Sequence, residues 1–365
     1  MAKLTKIFHS LYEPFFFSSI KIKKIHNHAI PSVLDDVFEK IDMGHGIQYY
    51  GIIPRSGTRT AQKCGNSEIA SIGIVVQGQI DYKDNFTLES LRLYRSQYPK
   101  NIIILSTWTG EVNNKFRAEC MKLNIHIIES SLPDNEGFCH VNCQIYNSYI
   151  GAKSMENDEN IRYVLKTRTD QRIYKPDFLR YLLNVFRVYS TNKNRIVFLD
   201  SSYLYIPFYL CDYLSFGEKK DIINLYDIPF EAGECDAFKA NIKVNRQYVT
   251  KERKSENISF KEFNSTKRKE VTQRLGRLMV PEIYIAFNYF KKHFAPDSTY
   301  TDSMIFEKYW DFVRNNTIII DERDLLLYWP KYKYRSHRDI NCYFYGHGLN
   351  HAKWLDIYVN GKGEE

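Results

Sequence analysis

Three charged side chains alternate along one apolar run of the chain, from Tyr163 to Asp170. Lys166, Arg168 and Asp170 are spaced two residues apart, so a β-strand would present all three on one face. Open α/β sheets bind ligands in the crevice outside the carboxyl ends of their strands, which is where this acid would emerge. Two cations beside one carboxylate would suit a diphosphate, and an ordinary ion cluster at a strand end is the alternative.

A second apolar run, from Ile72 to Ile80, comes earlier in the chain and ends in a turn at Gln77 and Gly78. In doubly wound sheets the turn after the first strand approaches the base and ribose of a nucleotide. A glycine there allows the backbone to come close to a ligand. The order of the two runs predicts a nucleotide-sugar site in which Gln77 and Gly78 bind the donor, with a simple strand-to-loop turn as the alternative.

Alternating strand and helix patterns position these residues. Predicted strands cover 72–77, 101–106, 125–128, the run that ends at Asp170, 195–200 and 317–321. Predicted helices lie between Thr87 and Pro99 and over 114–123, 141–153, 178–188, 218–226, 281–292 and 301–314. This alternation favours an α/β fold with a mixed, mainly parallel sheet flanked by helices.

Composition limits the class of protein. A chain of 365 residues can form one large domain or two, and a hydrophobic content of 44% argues against bulk disorder. The net charge of +8 is compatible with anionic membranes, nucleotide diphosphates and nucleic acids as partners. Seven cysteines without a paired framework favour a reducing compartment. Cys139 and Cys143 flank His140, but no second pair completes a zinc motif, so we expect structural thiols.

Several motifs resemble those of the WavE lipopolysaccharide-synthesis family. They are the strand IVVQGQI, the helix TLESLRLYRSQYP, the strand NIIILSTW, Asn142-x-Gln144-x-x-Asn147 and KTRTD, which lie within 72–175. Weaker similarity continues through Asp212–Gly217, Pro281-Glu282 and TIIID. The resemblance implies a bacterial glycosyltransferase of GT-A-like architecture, with a nucleotide-binding α/β sheet followed by an acceptor-binding carboxyl-terminal half.

The resemblance also raises the question of a metal cofactor. Metal-dependent GT-A enzymes carry Asp-x-Asp at the strand end, whereas this chain has Arg168-Thr169-Asp170 with a single acid. One carboxylate can hold a hard cation together with water and phosphate oxygens. Mg²⁺ or Mn²⁺ at Asp170 is therefore the predicted cofactor, and hydrogen bonds from Asp170 to ribose or sugar hydroxyls are the alternative.

Further donor contacts are expected on a helix and in the tail. Similar folds contact the donor sugar from the helix before the acidic strand, and Asn142 is preferred over Gln144, which lies about 200° away around the helix. Some GT-A enzymes close a carboxyl-terminal loop over the donor phosphates, and Lys331 and Arg335 are the candidates for that contact. His347 is a candidate second metal ligand, although a lone histidine is usually not a ligand.

Two carboxylates are candidate catalytic bases, which must reach an acceptor hydroxyl. Asp212 is the first choice because it lies beside aromatic residues in Cys-Asp-Tyr-Leu-Ser-Phe-Gly. Glu282 follows Pro281 in the first turn of a predicted helix, where it could instead only complement the helix dipole. A transfer that retains configuration needs neither residue.

Four regions are predicted along the chain. Residues 1–70 form an amino-terminal extension, 71–200 a nucleotide-sugar-binding α/β region, 201–330 an acceptor-binding region with a basic insertion at 240–275, and 331–365 a basic aromatic tail. Aromatic residues near Phe15 beside several lysines would suit either a bilayer surface or a helix packed on the main domain. We expect a cytoplasmic protein, with peripheral contact at the inner membrane as an open alternative.

The favoured function is transfer of a sugar from a nucleotide-activated donor to a lipopolysaccharide, capsule or other surface-glycan acceptor, including a lipid-linked one. A nucleotidyl- or phosphosugar-transferase is the enzymatic alternative, against which the chain has no GxxxxGK[ST] phosphate loop. A basic nucleic-acid-binding protein would fit the charge, but no recognised nucleic-acid module accompanies the basic runs. Nucleic acid is therefore not an expected partner.

Overall fold

The computed structural model describes residues 67–190, 194–200, 202, 208–232, 281–294, 302–330 and 349–361, with the backbone alone for 302–307. All of them belong to one compact unit of the chain, Ser56–Glu365. Residues 1–66, the basic insertion at 240–275 and the candidates Lys331, Arg335 and His347 lie outside the described residues. The assignments made for them, and the division into four regions, stay predictions.

Strands and helices alternate along the described chain. The strands are β1 (Ile72–Gln77), β2 (Ile103–Trp108), β3 (His126–Ser130), β4 (Tyr163–Arg168), β5 (Arg172–Ile173), β6 (Ile196–Leu199), β7 (Ser215–Glu218), β8 (Thr317–Ile320) and β9 (Leu327–Tyr328). The helices are α1 (Ser67–Ala70), α2 (Phe86–Gln97), α3 (Asn114–Lys122), α4 (Val141–Lys153), α5 (Phe178–Tyr189), α6 (Lys219–Tyr226), α7 (Pro281–Phe294), α8 (Asp302–Asn316) and α9 (His351–Asn360).

Seven strands form one mixed sheet in the order β3-β2-β1-β4-β7-β6-β8. Strands β1 to β4 are parallel to one another, and β6 pairs in parallel with β8. Strand β7 runs antiparallel to both β4 and β6. The predicted α/β fold with a mainly parallel sheet flanked by helices is confirmed, and β7 is an addition that the sequence patterns did not predict.

Side-chain alternation divides the sheet between two helical layers. On one face, the Lys166 ammonium lies 5.5 Å from the ring centre of Tyr226 in α6, and α4 packs so closely that a Cβ at Gly151 would lie 2.5 Å from a β1 side chain. On the other face, Tyr163 packs edge-on against Phe186 of α5. Because both faces are covered, β1 and β2 are buried at every position.

Helix α9 covers the sheet near β8. Its Trp354 is fully buried and packs against Tyr189 of α5 at 4.9 Å between ring centres and against Tyr358 at 5.3 Å. The indole Nε1 donates a hydrogen bond to the Val313 carbonyl of α8. Trp354 therefore joins α5, α8 and α9 beside β8, the last strand in the sheet order.

Candidate functional site

The order of the strands reverses between β1 and β4. From β1 the chain proceeds outward through β2 and β3, and it then returns to place β4 on the other side of β1. In open α/β sheets such a switch point opens a crevice beyond the carboxyl ends of the two strands, where ligands bind. Gln77 and Arg168 are register partners at this edge, so the structure brings two of the predicted donor-binding residues together.

The turn after β1 requires glycine. Gly78 has φ of 126°, a conformation that other residues rarely adopt, and a Cβ there would lie 2.9 Å from Thr169 Oγ1. The Thr169 backbone N–H donates to the Gln77 carbonyl at 3.0 Å, and its hydroxyl donates to the Gln79 carbonyl at 2.5 Å. The loop that follows β1 is thus fastened directly to the residue before Asp170.

Gln77 presents an unusual polar atom at this edge. Its side chain is buried, and its Oε1 has no hydrogen-bond partner among the residues that the structure describes. Buried polar atoms are nearly always hydrogen-bonded, so an atom left over at a ligand crevice suggests contact with a bound group or an ordered water.

Asp170 lies in the turn after β4, two residues beyond the end of the strand, rather than within the strand as predicted. The turn brings its carboxylate back to Arg168, whose Nε and Nη2 donate to Oδ1 and Oδ2 at 2.9 and 3.0 Å. The Trp329 indole also donates to Oδ2, at 3.0 Å. About a quarter of each charged side chain is exposed, so this bidentate pair faces solvent at the rim of the sheet.

Aromatic rings continue the site beyond this ion pair. The Arg168 guanidinium lies 5.1 Å from the Trp329 ring centre, and the Tyr213 ring centre lies 5.2 Å from the Trp329 ring centre. The Tyr213 hydroxyl donates to Glu322 Oε2 at 3.0 Å. We call these five residues, Arg168, Asp170, Tyr213, Glu322 and Trp329, the Asp170 cluster.

Four strands deliver the cluster: β4 carries Arg168 and leads into Asp170, and three others supply the rest. The antiparallel direction of β7 brings its amino end, and with it Tyr213, to the same edge as the carboxyl end of β4. Glu322 follows β8, and its backbone N–H donates to Asp200 Oδ1 at the end of β6. Trp329 follows β9, which pairs with β5 just after Asp170. The site therefore combines residues from both halves of the chain.

Lys166 lies on β4 two residues before Arg168 but is fully buried between the sheet and α6. Its Nζ donates to the backbone carbonyl of Asp212 at 2.7 Å. Burial lowers the pKa of Lys166 to about 7, and the nearby Asp212 carboxylate partly opposes that shift. In this structure Lys166 holds the Asp212 backbone, and its contact with a donor diphosphate stays a prediction.

Replacing Lys166 with methionine is expected to change the pH dependence of stability. The folded pKa of about 7 lies below the unfolded value of about 10.4, so the unfolded state binds more protons between these values. The free energy of unfolding of the wild type therefore increases, through Lys166, as the pH rises between these two pKa values. The Tm of Lys166→Met minus that of wild type should be higher at about pH 6 than at about pH 9. Lys100→Met, at an exposed turn, is the control, and an equal difference at both pH values would contradict the assignment.

Asp212, the preferred catalytic base, precedes β7 and is half-buried at the carboxyl edge. Its backbone carbonyl accepts hydrogen bonds from Lys166 and from Gln144 Nε2 at 2.8 Å. These two donors fix the segment that carries both the Asp212 carboxylate and the adjacent Tyr213. The structure thus supports the position of Asp212 beside the Asp170 cluster, while its role as a base stays a prediction.

Asn142 and Gln144 occupy different surroundings on α4. Asn142 is fully buried, and its amide donates to the carbonyls of Asn135 and Glu231 and accepts from the Glu231 N–H at 2.7 Å. Gln144 is the one that reaches the Asp212 segment. Asn142 therefore joins two loops, and contact between Asn142 and a donor stays a prediction.

Glu282 lies in the first turn of α7, as predicted. Its Oε1 accepts a hydrogen bond from the Tyr209 hydroxyl at 3.2 Å. Helix α7 packs on α6 and α4 in the layer outside the sheet. The role of Glu282 as a catalytic base also stays a prediction.

The sequence patterns missed several members of the site. Glu322 follows β8 as Asp170 follows β4, so the same strand-end signal could have identified it. Tyr213 lies in the segment Cys-Asp-Tyr-Leu-Ser-Phe-Gly, in which only Asp212 was predicted to be a site residue. Trp329 carries no local signal, because only the pairing of β9 with β5 brings it to Asp170.

The described residues around Asp170 do not form a dedicated site for a hard cation. Both carboxylate oxygens already accept hydrogen bonds from Arg168 and Trp329. Within the described ranges, no group of three metal-ligating side chains includes Asp170. Within the Asp170 cluster as described, Arg168 is the positively charged residue, and Mg²⁺ or Mn²⁺ stays a prediction.

Comparison with known proteins identifies the family. The model of the WavE lipopolysaccharide synthesis family matches residues 72–364, which include every strand of the sheet. The chain belongs to this family. The resemblance found in the sequence motifs is thereby confirmed, and WavE membership connects the chain with lipopolysaccharide synthesis and so with glycan biosynthesis.

Other comparisons are less informative about this WavE protein. No curated protein matches the chain. Among solved structures it is similar to a cytidylyltransferase from Leptospira borgpetersenii serovar Hardjo-bovis (strain JB197), with 13% identity and a TM-score of 0.29. That match covers 44% of this chain and 66% of the other, just under two thirds of its length. None of the helices in the described ranges is both long enough and apolar enough to cross a bilayer.

Proposed function

We propose that this WavE protein is a glycosyltransferase that moves a sugar from a nucleotide-activated donor to a lipopolysaccharide, capsule or other surface-glycan acceptor. The observation that carries the proposal is the Arg168–Asp170 pair at the switch point between β1 and β4, beside two aromatic rings. Family membership supports the glycan as the product class. The mixed sheet supports a GT-A-like arrangement in which the donor lies across the carboxyl ends of β1 and β4.

Arg168 is the residue proposed to neutralise the leaving diphosphate. A guanidinium forms charge-assisted bonds with phosphate oxygens, and a carboxylate that holds it from one side fixes its direction. Asp170 does this through two hydrogen bonds, and Trp329 in turn holds Asp170. Because the Arg168 and Asp170 side chains are already oriented, they need not move during the reaction to stabilise the negative charge that develops on the leaving group.

The remaining groups at the edge fit the other parts of the substrates. The half-buried Trp329 ring, packed against the buried Tyr213 ring, offers a face on which a base or a sugar can stack. The unpartnered Gln77 Oε1 and the backbone at Gly78 suit polar contact with the nucleoside. Asp212 would take the proton from the acceptor hydroxyl if the transfer inverts configuration.

The acceptor side of the proposal rests on the predicted regions. Residues 201–330 would bind the glycan or lipid-linked acceptor, and Lys331 and Arg335 would contact donor phosphates. His347 would join Asp170 if a cation takes part. A cytoplasmic location with peripheral contact at the inner membrane is part of the same proposal.

A donor panel tests the function directly. Full-length protein is incubated with nucleotide sugars and with lipopolysaccharide core or lipid-linked glycan acceptors, with and without added Mg²⁺ or Mn²⁺. Acceptor-dependent release of a nucleoside diphosphate or monophosphate supports glycosyl transfer. Release of pyrophosphate from a nucleoside triphosphate and a sugar phosphate would instead establish the nucleotidyltransferase alternative. Turnover with neither substrate set, in protein that binds nucleoside diphosphates, would overturn the proposal.

Trp329→Ala is expected to weaken donor binding by about tenfold or more, because stacking on one aromatic ring contributes about 1–3 kcal/mol. Trp329→Phe keeps the ring face but loses the hydrogen bond to Asp170, so its affinity should lie between those of wild type and Trp329→Ala. Calorimetric titration with nucleoside diphosphates measures both variants. Wild-type affinity in Trp329→Ala would remove Trp329 from the binding site.

A further inference from the structure

Three side chains of different metal-binding chemistry meet in the turn that leads into α4. Glu136, His140 and Cys143 each place a ligand atom within 4.8 Å of the other two. His140 Nδ1 lies 2.5 Å from Glu136 Oε2, and Cys143 Sγ lies 3.9 Å from the same oxygen. Glu136 and His140 are exposed, whereas Cys143 is buried beneath them.

We propose that Glu136, His140 and Cys143 form a Zn²⁺ site with one coordination position left for water. Thiolate, imidazole and carboxylate are the ligands that zinc takes in proteins, and three such ligands leave its fourth position open. A sulfur ligand argues against Mg²⁺ and Ca²⁺, which take oxygen ligands. This site is separate from Asp170, and it does not depend on the proposed transferase activity.

The distances suit a tetrahedral ion after a small movement. Metal–ligand bonds of about 2.0–2.3 Å place tetrahedral ligand atoms about 3.3–3.6 Å apart. The Cys143–Glu136 distance of 3.9 Å is already close to this value. The His140–Glu136 hydrogen bond of 2.5 Å must lengthen by about 1 Å, which needs only rotation of two exposed side chains.

The backbone explains why His140 and not Cys139 joins the group. Cys139 and His140 both have positive φ, at 52° and 60°, and this left-handed step turns successive side chains in different directions. Cys139 is exposed and outside the group of three. The sequence spacing predicted structural thiols at Cys139 and Cys143, whereas the fold brings Cys143 together with His140 and Glu136.

Metal binding would also stabilise the surrounding loops. Asn135 Nδ2 donates to the Glu231 carbonyl at 2.9 Å, and the Phe138 N–H donates to Glu231 Oε2 at 3.2 Å. The turn that carries the three ligands is therefore fastened to the segment around Glu231. A ligand that binds only the folded turn raises the Tm of the protein.

Cobalt titration of metal-free full-length protein tests the site. In wild type we expect a charge-transfer band from the Cys143 thiolate to cobalt. The band should reach its maximum at one Co²⁺ per protein and should disappear when Zn²⁺ is added. Cys143→Ser should lose that band, and Cys139→Ser, the matched control, should keep it with unchanged affinity. His140→Ala and Glu136→Gln should weaken binding by about tenfold or more.

Thermal denaturation provides the second readout. Zn²⁺ is expected to raise the Tm of wild type and Cys139→Ser, to leave that of Cys143→Ser unchanged, and to raise that of His140→Ala by less than that of wild type. His140 is exposed, so its variant remains a valid test if Cys143→Ser does not fold. A wild-type protein without the band, or a band and Tm response that stay at wild-type strength in Cys143→Ser and His140→Ala, would overturn the proposal.

Discussion

Asp170→Asn is expected to lower kcat/KM for sugar transfer by about 10²- to 10³-fold, the usual loss when one preorganised electrostatic group is removed. Asparagine keeps the shape of the side chain but cannot hold the Arg168 guanidinium through two charge-assisted bonds. Stability should change by only about 1 kcal/mol, since the pair is partly exposed. Steady-state assays with the active donor, together with thermal denaturation, separate the two effects.

Two further variants make this result specific. Glu159→Gln removes the same charge from an exposed acid that precedes β4 at the opposite edge of the sheet, and it should retain full activity. Arg168→Lys keeps the charge but loses the bidentate geometry, so we expect a loss similar to that in Asp170→Asn. If the two residues act as one unit, the double variant will be little worse than either single variant. Unchanged activity in Asp170→Asn would remove the Asp170 cluster from the mechanism.

Trp354→Ala is expected to destabilise the protein by about 3–5 kcal/mol, the range for a fully buried large aromatic residue. The indole packs against Tyr189 and Tyr358, and its N–H donates to the Val313 carbonyl. Its loss leaves a cavity among α5, α8 and α9. Thermal denaturation should show a Tm lower by at least about 5 °C.

Helix α9 also carries an exposed position that serves as a control, and it contacts a residue beside the candidate site. Val359→Ala, at an exposed position of α9, should change stability by less than about 0.5 kcal/mol. The His351 N–H at the start of α9 donates to Asp321 Oδ1, so α9 also fixes the residue before Glu322. A Tm drop in Trp354→Ala no larger than that in Val359→Ala would contradict the assigned packing.

Local patterns were sufficient for most of the regular structure. Strand β1 and helix α4 have the predicted limits, because β1 is a continuous apolar run and α4 buries Val141, Ile145 and Ala152 at helical spacing. The second strand begins two residues later than predicted. Asn101 explains the shift, since its amide donates to the carbonyls of Ile69 and Ile72 and so belongs to the connecting turn.

Several structural features depend on long-range contacts, which local sequence patterns could not predict. Thr87 was predicted to mark the start of α2, but it lies inside the helix, where its hydroxyl accepts from the Asp81 N–H and donates to the Thr169 carbonyl. The four residues of β7 are too few for a periodic signal, and only pairing with β4 and β6 defines the strand. The candidate site shows the same limit, because chain order alone placed Arg168 with Asp170 but could not place Trp329 with them.

The two-stranded sheet formed by β5 and β9 has a structural consequence. Two residue pairs, Arg172 with Tyr328 and Ile173 with Leu327, cross-link stretches of chain that are about 150 positions apart. This pairing begins two residues after Asp170 and ends one residue before Trp329, so it keeps the carboxylate and the indole within hydrogen-bond distance of each other. Trp329 is consequently anchored beside the crevice from both of these stretches.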